Sequence, residues 1–200
     1  MQSDSRLFLD GQPFSIKEGE IAAAISAPYW CDTYNRGNGK SISWAVTIKG
    51  ASAPHDFQPP SIYFDGLRIN VGNWHDLVGY EESWQDPIDE ETGEEYGTIY
   101  VHDHQGIANG SIRIVERQGA NFRVVAAGEN EEGQRFEIDA VAEFLGVKVR
   151  GSEFDTNKTA NARLRQFLDD SNLVASPFVL KHQYQSGVKM GDAFYTPRTE

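Results

Sequence analysis

The chain has 200 residues, 39% hydrophobic and 12% aromatic, enough for a sizeable apolar core in which large rings do much of the burying. A net charge of -12 argues against phosphate-backbone binding, which needs a surplus of Lys and Arg to displace counterions, so nucleic acid is not an expected partner. The lone cysteine, Cys31, excludes an intramolecular disulfide. Neither a basic segment followed by an apolar run at the N-terminus nor a membrane-length apolar stretch occurs, so the expectation is a soluble cytoplasmic protein without a membrane partner.

The charge is unevenly spread. Residues 145–200 hold eight Lys/Arg against six Asp/Glu, a balance of +2, while residues 1–144 hold ten against twenty-four, a balance of -14. Nineteen glycines and eight prolines punctuate the chain often, which favours many short strands over long helices.

In chain order, Glu20–Ala27 is ambiguous, since Ala favours helix but the run ends at Pro28 after only a few residues. Asn35–Gly39 reads as a turn before Ile42–Lys49, where Ile42, Trp44, Val46 and Ile48 share one face. Ile62–Asp65 and Leu67–Val71 read as two arms of a hairpin around Asp65-Gly66. Gly97–His104 places Ile99 and Val101 opposite Tyr100, His102 and His104, and Asn109-Gly110 reads as a turn before Ser111–Arg117. Phe122–Ala127 follows. The longest run, Arg135–Arg150, carries Phe136, Ile138, Ala140, Ala142 and Phe144 on one parity but Val147 and Val149 on the other. A strand that swaps parity must bulge, and Leu145-Gly146 is where the swap falls. In a meander of these runs, Arg113, Arg117 and Arg123 would lie near Glu137, Asp139 and Glu143.

One helix is predicted at about Asn157–Ser171, with its N-cap among Asp155, Thr156 and Asn157 and with Ala160, Leu164, Phe167 and Leu168 at helical spacing. The tail from Lys181 shows no clear period. The fold expected is mainly β: an antiparallel β-sandwich or flattened barrel over residues 1–152, with the helix and tail of 153–200 packed on it as one domain.

The candidate chemistry is sparse. Glu81–Glu95 contains eight carboxylates and no Lys or Arg, with Thr92-Gly93 as a hairpin tip. Its oxygens suit Ca²⁺, but the spacing of an EF-hand is missing. His102 and His104, two apart on a strand, project to one side and suit a divalent metal ion, although the carboxylate that a cupin-like site adds a few residues later is missing. His55, His75 and His182 are further imidazoles without assigned positions. Trp44 belongs to the core by its parity, whereas Trp74 and Trp84, near Asn73, His75 and the acid loop, read as surface rings for a partner or a sugar. Cys31 has no neighbouring His or cation to activate it, and no nucleophile elbow, P-loop or dinucleotide fingerprint occurs.

The function expected from these residues is non-enzymatic. An acidic module would bind a basic protein through Trp74, Trp84, Asp86, Asp89, Glu90, Glu91, Glu94 and Glu95, as an inhibitor, immunity-type or phage accessory protein does, with no cofactor and with homo-oligomers allowed. The alternative is a metal-dependent or carbohydrate-binding β-sandwich using His102, His104 and nearby aromatic rings.

Overall fold

The computed structural model describes residues 5–26, 42–51, 59–90, 93, 95–101, 103–183 and 189–198. Cys31, Trp30, His55, Glu91, Thr92, Glu94, His102 and the Asn35–Gly39 turn lie outside the described residues, as does the side chain of His182. The described chain is mostly antiparallel β-sheet with a single helix toward its C-terminal end, the class that the alternation and turn spacing predict.

The strands are β1 (Arg6–Leu9), β2 (Gln12–Phe14), β3 (Ile16–Ile25), β4 (Ile42–Gly50), β5 (Ser61–Leu67), β6 (Glu81–Trp84) and β7 (Thr98–Tyr100). They continue as β8 (His104–Gln118), β9 (Asn121–Asn130), β10 (Arg135–Ser152), β11 (Leu173–Ala175), β12 (Val179–Gln183) and β13 (Lys189–Pro197), with the helix α1 (Asn157–Leu164) between β10 and β11. The chain forms two compact units, Met1–Ile21, Trp44–Ile69 and Leu77–Phe144 in the first, Ala22–Ser43, Asn70–Asp76 and Leu145–Glu200 in the second.

In the first unit β8, β9 and the leading part of β10 form the expected meander, with Ile114 opposite Val124 and Val124 opposite Ala140. β1 joins β10 on its other edge, while β6 and β7 pair with β8, and β7 with β5. The inward parity is apolar except at Asn130, the buried last residue of β9: Ile112, Ile114, Phe122, Val124, Phe136, Ile138 and Phe144 are all buried. Phe64 lies 6.2 Å from the rings of both Trp84 and Phe136, and Trp44 lies 5.9 Å from Phe144. Outward charges meet across strands, as Arg123 does with both carboxylate oxygens of Asp139 at 2.8 and 2.7 Å.

Two turn readings are corrected here. Asp65-Gly66 does not close a hairpin, because β5 runs straight through it. Trp44 faces Leu67 and Val46 faces Phe64, so two residues of β5 oppose one of β4 in a bulge. Asn109-Gly110 likewise lies inside β8. A Cβ on Gly110 would stand 3.0 Å from the Trp84 ring, so the glycine admits an indole rather than a turn.

In the second unit β13 is paired on both edges, with the trailing part of β10 on one and β11 and β12 on the other. The parity swap of β10 occurs as expected. Phe144 and Val147 are both about 1% exposed while Leu145 is 42% exposed, and Gly146 between them takes φ +121°, where a Cβ would strike the Tyr195 carbonyl at 2.1 Å. The helix is shorter than predicted. Thr156 caps it in a reciprocal box with Thr159, but it ends at Leu164, and tight turns carry the chain on through Phe167 and Leu168. Those turns keep Leu168 buried and leave Phe167 half-buried. The ambiguous Glu20–Ala27 segment is strand as far as Ile25.

Candidate functional site

The acid segment is a hairpin built from the edge of the first unit. β6 pairs with β8, Glu81 opposite Arg113 and Trp84 opposite Gly110. Beyond Trp84 the chain leaves the sheet and folds back on itself, so that Ile88 bridges Glu95 and the Tyr96 N–H donates to the Pro87 carbonyl at 3.1 Å. At the tip Gly93 takes φ +69° and its N–H donates to the Asp89 carbonyl at 2.7 Å, as a hairpin turn requires.

Side chains anchor this hairpin. Trp84 stacks on Tyr96 with centroids 4.9 Å apart and planes 10° from parallel, and its Nε1–H donates to the Ile107 carbonyl at 3.3 Å. Asp89 is only 3% exposed, and a carboxylate so placed must be paired. Arg68, just after β5, forms its ion pair, and the Tyr96 hydroxyl donates to its Oδ2 at 3.1 Å. A second carboxylate is held nearby: Glu82 accepts from the Tyr80 hydroxyl and, at 3.2 Å, from the Arg68 N–H. Burial pushes both phenols above their ordinary range, and the adjacent carboxylates, Glu82 for Tyr80 and Asp89 for Tyr96, push the same way.

Several expected partner contacts are therefore corrected. Trp74 and Trp84 are 3% and 4% exposed and cannot serve as surface rings; they also belong to different units. Trp74 packs edge-on against His75 at 4.0 Å, in a short 3-10 turn spanning Trp74–Leu77. Asp89 faces inward and serves the fold. The absence of a cation within the segment does not leave it without one, because Arg68 arrives from another strand end. The carboxylates that the hairpin presents to solvent, among the described residues, are Glu81, Asp86, Glu90 and Glu95, and Ile88 is half-exposed. Arg68, Tyr80 and Tyr96 were missed by the sequence reading. The one available signal was a lone Arg in the neutral stretch just ahead of this acidic run.

The reading of Gly97–His104 as one strand is corrected: β7 ends at Tyr100, which pairs antiparallel with His104 at the start of β8, so the same-strand spacing on which the metal pair rested is not there. His104 is exposed, 4.8 Å from the Tyr100 ring, and its backbone N–H bonds the Asp103 carboxylate at 2.8 Å. Among the described residues no three His, Cys, Asp or Glu side chains are grouped to hold a metal ion. Glu116, which shares the parity of Ile112 and Ile114, is turned out to solvent where the β8–β9 register shifts after Ile114. Among the described residues no helix is long and apolar enough to cross a membrane. No family model, no curated protein and no solved structure matches this chain.

Proposed function

We propose that the chain is a non-enzymatic protein-binding module of the cytoplasm whose acidic hairpin, centred on Ile88, docks on a basic surface of another protein. The observation that supports this reading is the division of labour within the hairpin. Asp89, Trp84 and Tyr96 use their side chains to hold it, while the side chains of Asp86, Glu90 and Glu95 are exposed, as is half of Ile88, and none of them takes part in those anchoring contacts. An apolar centre with a charged rim is the anatomy of a protein interface, and a segment whose flanks are already anchored loses less entropy on docking. The carboxylates would steer a cationic partner and raise its association rate. A toxin neutralised by an immunity-type protein is one partner of this chemistry.

The test is capture of partners from the source cells by immobilised protein. The wild type should retain a basic protein at low salt and release it at high salt. The Asp86→Asn/Glu90→Gln/Glu95→Gln variant should lose it while keeping its melting temperature. Equal retention by the variant would defeat the reading.

A further inference from the structure

The second unit carries a surface of opposite character. Residues directly opposed in antiparallel strands project to one side of the sheet. Phe194 of β13 faces Lys148 of β10, Asp192 faces both Arg150 of β10 and Val179 of β12, and Thr196 faces Val174 of β11. Lys181, the extra residue where the β12–β13 register shifts, reaches the same side, since its ammonium stands over the Phe194 ring. The other side of these strands buries Val147, Val149, Ala193 and Tyr195, so this one is the outer face.

That outer face has an apolar middle and a cationic rim. Val174 and Val179 are 48% and 50% exposed. The Lys181 and Lys148 ammonium groups sit over the half-buried Phe194 ring, 4.5 and 5.4 Å from its centroid. Lys148, Arg150 and Lys181 outnumber the single carboxylate Asp192, and none of the ion pairs between described residues uses any of the three cations. β11 and β12 have no further strand on their outer edges among the described residues. A face of this kind suits an acidic segment with an apolar residue at its centre.

The chain itself supplies such a segment. Building on the reading of the acidic hairpin as a docking element, we infer that a second copy of this chain is its partner, the hairpin of one copy seated on the Lys148–Phe194–Lys181 face of the next. Ile88 meets Val174, Val179 and Phe194, and Asp86, Glu90 and Glu95 meet Lys148, Arg150 and Lys181. The two patches differ, so the contact is heterologous and runs head to tail. Each copy carries -12, but salt limits that repulsion to a screening length of about 8 Å, whereas the opposed groups meet within it.

Sedimentation of the full chain over a wide concentration range tests this. One variant reverses the hairpin (Asp86→Lys, Glu90→Lys, Glu95→Lys) and another reverses the face (Lys148→Glu, Lys181→Glu). The wild type should associate with rising concentration, each variant alone should associate more than about tenfold more weakly, and an equimolar mixture of the two should regain association. A wild type that stays monomeric, a variant that associates like the wild type, or a mixture that stays apart each overturns the inference. If a reversed variant melts early, neutral replacements at the same positions (Asp86→Asn, Glu90→Gln, Glu95→Gln; Lys148→Gln, Lys181→Gln) must still weaken association. The two proposals fail separately. Loss of the captured basic protein by the hairpin variant alone, with a monomeric wild type, removes only the second copy as partner.

Discussion

The β8–β9–β10 meander and the 81–96 hairpin are both rich in charge, yet they use it in opposite ways. In the meander the inward positions are apolar except Asn130 at the end of β9, and outward charges answer one another across strands, as Arg123 answers Asp139. In the hairpin the carboxylates far outnumber the cations, one of them is buried, and its counter-charge comes from the far end of β5. Charge that balances locally belongs to the fold. Charge that stays in surplus on an anchored loop is available to something else.

The comparison breaks most visibly at the core of the meander. Phe136 is about 1% exposed, 6.2 Å from Phe64, and packs so closely that a Cβ on Gly128 would stand 2.8 Å from its ring. Phe136→Ala should lower the unfolding free energy by about 3–5 kcal/mol, read from the urea midpoint at unchanged slope. A cost near that of a surface substitution would mean that the meander does not carry the fold.

Next in size is the anchor of the hairpin. Arg68→Ala removes the cation paired with the buried Asp89 carboxylate and leaves the Tyr96 hydroxyl bonded to it. The expected cost is about 1–3 kcal/mol, below that of a fully enclosed pair because Arg68 is 46% exposed and water reaches it. Adding Asp89→Asn should recover part of the loss, so the double variant costs less than the two single changes added together. Simple additivity would show that the two groups stabilise the hairpin independently.

The contrast also explains what could be read in advance. Parity located the buried set of β4, β8, β9 and β10 because each of those strands has a regular apolar face, and even the swap at Gly146 left its trace in Phe144 and Val147. Trp84 was misread because β6 reads Glu-Glu-Ser-Trp, in which a single apolar residue among charges gives no period. Asp89 was misread because its partner is distant in sequence, and a window of like charges contains no sign of which member turns inward. The glycine pairs misled for another reason. Glycine is found at turns, at bulges and where a ring packs close, and here Asp65-Gly66 lies in a bulge while Gly110 lies against the Trp84 ring. Phe167 and Leu168 continue the helical spacing of α1 although the helix has ended, because tight turns repeat almost as a helix does. The outer face around Phe194 went unseen because the tail is too irregular to show which strands would lie side by side.

Acid should separate the two regions further. The Arg123 guanidinium, bonded to Asp139, holds that carboxyl below its ordinary range even though partial burial pushes the other way. A carboxyl lowered in the folded state stabilises it above the unfolded value, near pH 4, and that contribution fades as pH falls through the folded value. Melting temperature followed from about pH 5 down to about pH 2 should therefore fall less steeply in Asp139→Asn than in the wild type. Identical acid limbs would mean that the pair contributes nothing to stability.

The smallest expected change in stability is the one that bears most on the hairpin. Asp86, Glu90 and Glu95 are exposed and form no ion pair with any described residue. Replacing them with Asn and Gln removes only mutual repulsion, so the unfolding free energy should move by no more than about 0.5 kcal/mol. The direction should be a slight gain at low salt that vanishes at high salt, because repulsion between exposed charges is screened beyond about 8 Å at physiological ionic strength. Urea titrations at two salt concentrations read both the size and the sign. A clear loss of stability would place these carboxylates with Asp89 and Glu82 as part of the scaffold, and the surplus charge of the hairpin would then be structural after all.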